Sequence, residues 1–110
     1  MGLESVAVSI KVRIKLSHLI YILHEKEYFG FWETAEKYVD SIYDTILKIP
    51  EIKHSKSANP KIGTYFVRHK ANSKTTYYII FDKKDDRYLV KDIFSNHDQS
   101  YENIISPEKL

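Results

Sequence analysis

The 110-residue chain contains no cysteine. It therefore has no disulfide, no thiolate metal site and no thiol nucleophile, which fits a reducing cytosol. Its longest apolar run, residues 19–23, is far shorter than the roughly 18 residues that a membrane span needs. The N-terminus also lacks the basic and then apolar pattern of a signal peptide. We expect one cytoplasmic domain over residues 1–110, not embedded in a membrane, with a core at 6–101 and a tail at 102–110.

Glycine is scarce as well. The three glycines, Gly2, Gly30 and Gly63, are too far apart to form a phosphate-binding loop. No histidine stands at the spacing from Asp or Glu that marks a zinc-binding helix. The sequence therefore argues against the familiar nucleotide-dependent and zinc-dependent enzymes. We expect neither a cofactor nor a metal ion.

Neither sign of charge is in large excess, since the net charge is only +2. The charges are nevertheless unevenly distributed along the chain. Residues 17–50 carry three Lys against six acids, whereas residues 51–97 carry ten Lys or Arg against five acids. Association with a polyanion depends on local rather than total charge. The C-terminal half therefore holds either a phosphate-binding face or an ordinary solvated sheet surface.

The N-terminal half combines a strand pattern with two helix patterns. Residues 6–16 alternate large aliphatic side chains with small or basic ones, a period of two that predicts a strand. Ser17 is placed to cap a short helix, whose apolar residues are Leu19, Ile20 and Leu23. Residues 29–31 would end this helix. Apolar spacings of three and four then predict a second, acidic helix over residues 32–49.

The C-terminal half reads as β structure. Residues 51–61 have no periodicity and are rich in Ser, Lys, Asn and Pro, which predicts a loop. Runs rich in Tyr, Phe, Val and Ile follow at residues 64–70, 74–82 and 87–95, and their short connections predict an antiparallel meander. The expected fold is α+β: a helical hairpin on one face of a four-stranded, mainly antiparallel sheet. In it the first strand pairs in parallel with the last.

Basic residues and histidines of the meander form the candidate site. Arg68 can hold a phosphate with its planar fork, and His97, just after the last strand, can transfer protons. These are parts needed for metal-free RNA cleavage, in which the 2′-hydroxyl attacks the adjacent phosphate. We predict a catalytic set of Arg68, Lys91, His97 and Tyr101, and an RNA-binding set of His69, Lys70, Lys74 and Tyr78. The alternative is that these are ordinary surface residues of a sheet.

Two adjacent tyrosines sharpen the RNA-binding prediction. Tyr77 and Tyr78 are neighbours in one predicted strand, so their side chains point to opposite faces of the sheet. One of them should lie in the core. The other should be exposed or line a groove, where it can stack on a base or contact a partner.

The order of elements carries a family resemblance. After the helical hairpin, residues 65–82 read YFVRHKANSKTTYYIIFD and residues 87–97 read RYLVKDIFSNH. With these strands the chain resembles the RelE/ParE superfamily of bacterial type II toxins, some of which are described as plasmid stabilization proteins. The resemblance covers residues 6–101 and rests on topology and a few strand signatures.

This resemblance implies a toxin that a cognate antitoxin silences. RelE-type members cut mRNA on the ribosome, and an arginine on their first meander strand contacts the scissile phosphate, a position that Arg68 matches. His97 and Tyr101 fall where a proton-transferring residue is expected, and Lys91 takes the place of a second arginine. ParE-type members instead inhibit DNA gyrase. The leading hypothesis is the mRNA endonuclease, and the alternatives are a gyrase inhibitor and an interaction domain that keeps only the fold.

Overall fold

A computed structural model describes residues 5–25, 32–59 and 61–98 and has an α+β fold with two helices and a five-stranded mixed sheet. The strand order is β1-β5-β4-β3-β2. In chain order the elements are β1 (Ser5–Val8), α1 (Ile10–Glu25), α2 (Trp32–Leu47), a 3-10 helix (Ile49–Glu51), β2 (Ser55–Lys56), β3 (Tyr65–Lys70), β4 (Thr76–Lys84) and β5 (Arg87–Ser95).

The sheet combines one parallel pair with three antiparallel pairs. β1 lies parallel to β5, from Ser5 opposite Arg87 to Val8 opposite Val90, with the two helices between them in the chain. The predicted parallel pairing is therefore confirmed. The predicted count of four strands is wrong, because β2 forms within the expected loop at 51–61 and pairs antiparallel with β3. A strand of two residues is too short to show a period in the sequence.

Strand β1 is much shorter than the predicted strand at 6–16, because helix α1 begins at Ile10. Ser9 precedes the helix, and its Oγ accepts a hydrogen bond of 3.3 Å from the backbone amide of Val12. This bond satisfies one of the free amides of the first turn. Ser17, the predicted cap, lies instead in the middle of α1.

The aliphatic side chains of α1 explain the misleading alternation. Val12 and Leu16 are buried, whereas Ile10 and Ile14 are 74% and 62% exposed. Residues two apart on a helix point in nearly opposite directions. The apparent period of two therefore combines side chains from a buried stripe and from an exposed stripe of the same helix. The buried stripe continues to Leu23 at helical spacing, and its contact with the core favours the helix.

The two faces of the sheet are packed differently. The helices cover one face, where the main core includes Leu16, Ile42, Val67, Ile79 and Val90. The opposite face, called the open face below, carries a smaller buried cluster, against which Ile62 and Phe94 pack; its members are Phe66, Tyr78 and Ile80. The open face is therefore the surface on which exposed strand residues can meet a partner.

The helices carry opposite charges. Helix α1 has three Lys or Arg against one Glu, whereas α2 has one Lys against four Asp or Glu. The acidic character that the sequence predicts for the helical hairpin is therefore confined to α2. The cations of α1 lie within residues 10–16, for which the alternating pattern predicted a strand.

Two ion pairs to a buried carboxylate attach α1 to the edge of β5, beyond the end of β1. Asp92 of β5 is only 4% exposed. Lys11 and Lys15 of α1 approach its two carboxylate oxygens at 2.8 and 2.5 Å. Lys15 also donates a hydrogen bond of 3.2 Å to the backbone oxygen of Ile93. These contacts bring the basic side of α1 to the rim of the open face.

Several expectations concern parts of the chain for which structure is not described. The predicted helix break at 29–31, Tyr101 and the tail at 102–110 lie outside the described residues. Within the described ranges, neither helix is long and apolar enough to cross a membrane.

Candidate nucleic-acid interface

Arg68 is the most prominent cation of the open face. It is exposed, and its guanidinium carbon lies over the rings of Phe66 and Tyr78, at 5.2 and 5.9 Å from the two ring centres. Both distances are within the range of a cation–π interaction. Among the described residues, no carboxylate forms an ion pair with Arg68. Its positive charge is therefore held in place by aromatic rings but left available to an anionic ligand.

Arg68 begins a row of side chains that crosses the open face. Arg68 pairs with Tyr78, and Tyr78 pairs with Phe94 on the next strand. The ammonium of Lys15, from α1, lies 4.5 Å from the centre of the Phe94 ring. The row therefore has a cation at each end and two aromatic rings between them, and its three strands span roughly 10 Å.

Further basic residues lie elsewhere on the same sheet. Lys70 lies two residues beyond Arg68 on β3 and shares its face. Near the opposite end of the sheet, Lys84 pairs with Arg87, and both are exposed. At the rim, two lysines of α1 face the single carboxylate of Asp92. The open face and its rim therefore carry an excess of positive charge.

Lys91, a predicted catalytic residue, makes an ion pair on the open face. Its Nζ lies 3.3 Å from Oδ2 of Asp82, whose Oδ1 accepts hydrogen bonds from the amide and hydroxyl of Thr64. Burial alone would raise the pKa of Asp82, but the bonds from Thr64 and Lys91 outweigh it and lower the pKa. Thr64 is four residues from Arg68, roughly 13 Å along the strand. Lys91 therefore lies away from Arg68.

His69, a predicted RNA-binding residue, faces the helices and not the open face. Its Nδ1 lies 2.7 Å from the Thr45 hydroxyl and its Nε2 lies 3.3 Å from the Ser41 hydroxyl. Ser41 donates its own proton to the carbonyl of Tyr38, so its oxygen is free to accept from Nε2–H. His69 thus joins β3 to α2. Burial lowers its pKa.

This burial predicts a pH dependence of stability. The unfolded chain binds a proton at His69 near pH 6.5, while the folded chain resists it, so stability should fall as the pH drops below about 6.5. The variant His69→Asn should flatten this dependence between pH 7 and pH 5, as measured by urea unfolding. His24→Asn, which removes an exposed histidine, is the matched control. An unchanged slope in His69→Asn would contradict the assignment.

His97, the second predicted catalytic residue, lies beyond the end of the sheet. It is exposed, and its Nε2 lies 3.0 Å from the hydroxyl of Thr75. It lines a cleft on the helix side of the sheet, together with Lys74 of the β3–β4 turn, Tyr77, and Leu19 and Leu23 of α1. His97 and Lys74, two predicted site residues, are therefore close neighbours.

Tyr77 and Tyr78 point to opposite faces of the sheet, as their alternation along the strand predicts. Tyr77 points to the helices, where its hydroxyl accepts a hydrogen bond of 3.3 Å from the hydroxyl of Tyr38. Burial raises the pKa of Tyr77 well above its usual value, so its phenol stays protonated. Tyr78 points to the open face but is only 8% exposed beneath Arg68. The predicted role of Tyr78 in stacking on a base is therefore wrong, because its ring is buried and instead supports Arg68 from below.

The predicted site residues thus form separate groups. Arg68, Tyr78 and Lys70 share the open face, with Lys91 farther along it, whereas His97 and Lys74 lie together at the end of the sheet on its helix side. His69 supports α2. The predicted catalytic pair of Arg68 and His97 is not brought together in the described structure.

Two residues of the open face were missed in the sequence. Phe94 follows Ile93 in β5, so alternation places it on the face opposite the main core, and this signal was available. Lys15 reaches the same row from α1. Its contribution depends on the position of α1, which the strand prediction for residues 6–16 concealed.

Comparisons with known proteins add no relative. No protein-family model, curated protein or solved structure matches the chain.

Proposed function

We propose that this protein is the toxin of a RelE/ParE-type toxin–antitoxin module and that it acts by binding RNA on the ribosome. The observation that carries the proposal is the exposed guanidinium of Arg68, which aromatic rings position and no described carboxylate neutralises. Cations and aromatic rings on one sheet face are the combination with which proteins hold single-stranded nucleic acids. The resemblance of the strands to this superfamily supports the toxin assignment.

RNA binding is the form of this function that the geometry favours over RNA cleavage. Cleavage by the predicted set requires Arg68 to act on one phosphate together with His97 or Tyr101, and of these two only His97 belongs to the described residues. Arg68 lies on the open face, whereas His97 lines the cleft on the helix side. Lys91 is engaged by Asp82. We therefore propose a protein whose primary action is to occupy RNA, with message cleavage and gyrase inhibition as the alternatives that the experiment separates.

Induced expression in a bacterial host tests this proposal. We expect growth arrest, with the protein sedimenting with ribosomes and with its association weakening steeply as salt rises, because phosphate contacts release counterions. Co-expression of the neighbouring reading frame, the candidate antitoxin, should restore growth. Arg68→Ala should relieve the arrest, whereas Lys84→Gln, which removes an exposed charge far from the row, should relieve it much less.

The variant His97→Ala separates the three functions. A binding toxin should remain active in this variant, with intact messages and normal plasmid supercoiling. Cleaved messages that disappear in His97→Ala would establish the endonuclease. Altered supercoiling with intact messages would establish gyrase inhibition. Normal growth at high expression of the unchanged protein would refute the toxin assignment.

A further inference from the structure

The surroundings of Arg68 restrict how it can contact a ligand. The guanidinium carbon lies over the rings of Phe66 and Tyr78, which are only 3% and 8% exposed. A ligand can therefore approach the group only from solvent and cannot reach these two rings. The accessible surface of this aromatic patch is the guanidinium itself.

We infer that Arg68 serves as a stacking platform for an unpaired nucleobase, so that the open face selects single-stranded RNA over duplex RNA. This inference rests on the proposed RNA-binding function and adds its substrate class. A planar guanidinium stacks on nucleobases as well as on aromatic side chains. A base placed on Arg68 would lie on the solvent side of the guanidinium, with the two rings on its protein side.

The neighbouring cation fits the same ligand. Lys70 shares the face of Arg68 two residues along β3, roughly 7 Å away. It is exposed, so its ammonium can contact the phosphate of a nucleotide whose base lies on Arg68. Bases of an A-form duplex are paired and stacked internally, so a duplex can offer this site only its backbone. The preference for single strands follows from that difference.

Two substitutions at position 68 separate stacking from phosphate binding. Arg68→Lys keeps the charge but loses the planar group, whereas Arg68→Trp keeps a planar group but loses the charge. The probe is a short labelled oligouridylate, alone or annealed to oligoadenylate, and the measurement is the Kd by fluorescence anisotropy. We expect Arg68→Lys to weaken single-strand binding by about tenfold and Arg68→Trp by only a few-fold.

A matched control uses the other face of the sheet. Lys83 lies 5.5 Å from the centre of the Tyr88 ring, and Tyr88 belongs to the helix-covered core. Lys83→Gln therefore removes a cation–aromatic contact of the same kind away from the open face. We expect it to change the Kd by less than about twofold. A loss equal to that of Arg68→Lys would show that the effect is not specific to the open face and would overturn the inference.

An oligonucleotide with one abasic position provides a test that needs no variant to fold. When the abasic position is moved along the strand, the binding of the unchanged protein should weaken at one of the placements. The same oligonucleotides should not bind the variant Arg68→Lys any more weakly than the intact strand does. Tighter binding by Arg68→Lys than by Arg68→Trp, or no abasic effect, would overturn the stacking inference while leaving RNA binding intact. Failure of the unchanged protein to bind either RNA would instead refute the proposed function.

Discussion

Replacing both Lys11 and Lys15 by methionine is expected to lower the free energy of unfolding by roughly 3 kcal/mol at pH 7. Asp92 is 4% exposed, and these lysines provide both ion pairs to its carboxylate. Without them, the described contacts leave it only the backbone amide of Ile93, at 2.8 Å. The lysine side chains are 63% and 38% exposed, so the expected loss lies at the lower end of the range for a broken buried pair.

The free energy of unfolding should also depend on pH in opposite directions in the unchanged protein and in the double variant. Burial alone would raise the pKa of Asp92, but the bonds from Lys11, Lys15 and the amide of Ile93 outweigh it and lower the pKa. Asp92 therefore stabilises the unchanged protein above the unfolded pKa near 4, and this contribution is lost as the pH falls. In the double variant the unpaired carboxylate should have a raised pKa, and stability should then increase on acidification.

Urea unfolding over a range of pH measures both effects. Adding Asp92→Asn to the double variant removes the unpaired charge and should recover part of the lost stability. Lys84→Met, at an exposed position without a described ion pair, is the matched control. If the double variant lost less than about 1 kcal/mol, the ion pairs would not be what holds α1 to β5.

The boundary between β1 and α1 shows where sequence patterns mislead. Residues 6–16 satisfy a period of two, yet Ile10 and Ile14 are exposed in a helix. The decisive signals were Ser9 as a cap and the spacing of Val12 with Leu16, which are weaker than a six-fold alternation. Tertiary contacts favour the helix over a strand, because Leu16 packs in the core and Lys15 forms an ion pair with Asp92.

The candidate site was predictable only in part, for a related reason. Alternation within β4 separates Tyr77 from Tyr78, as expected, and the same rule separates His69 from Arg68. Cross-strand register and the irregularity between Ile80 and Phe81 decide which residues become neighbours across strands, and neither follows from local pattern. The sequence thus predicts the basic meander, whereas the row from Arg68 to Lys15 needs the assembled sheet.

Gly63→Ala is the second substitution for which we expect a large effect, a loss of roughly 3 kcal/mol in the free energy of unfolding. A Cβ added at Gly63 would lie 2.1 Å from Cγ2 of Ile80. Ile80 is fully buried, so its side chain has little room to move. The backbone φ of Gly63 is not positive. Position 63 therefore requires glycine because there is no space for a Cβ, and not because of its backbone conformation.

A double-mutant cycle tests the stated cause. Ile80→Leu removes the branch methyl group that the new Cβ would meet, so Gly63→Ala should cost clearly less in that background than alone. Ser73→Ala, an exposed turn substitution, is the control and should change stability by less than about 0.5 kcal/mol. Equal costs of Gly63→Ala in both backgrounds would refute the contact with Ile80 as the reason.

The same substitution should also weaken RNA binding at temperatures where the variant is folded. Ile80 shares its cluster with Phe66 and Tyr78, the two rings beneath Arg68. Buried side chains are closely packed, so displacing Ile80 by a fraction of an ångström is expected to shift the two rings of its cluster. We therefore expect Gly63→Ala to raise the Kd for the single-stranded oligouridylate, and Ile80→Leu to restore part of it. A destabilised variant with unchanged Kd would show that the packing beneath Arg68 does not determine how it presents its guanidinium.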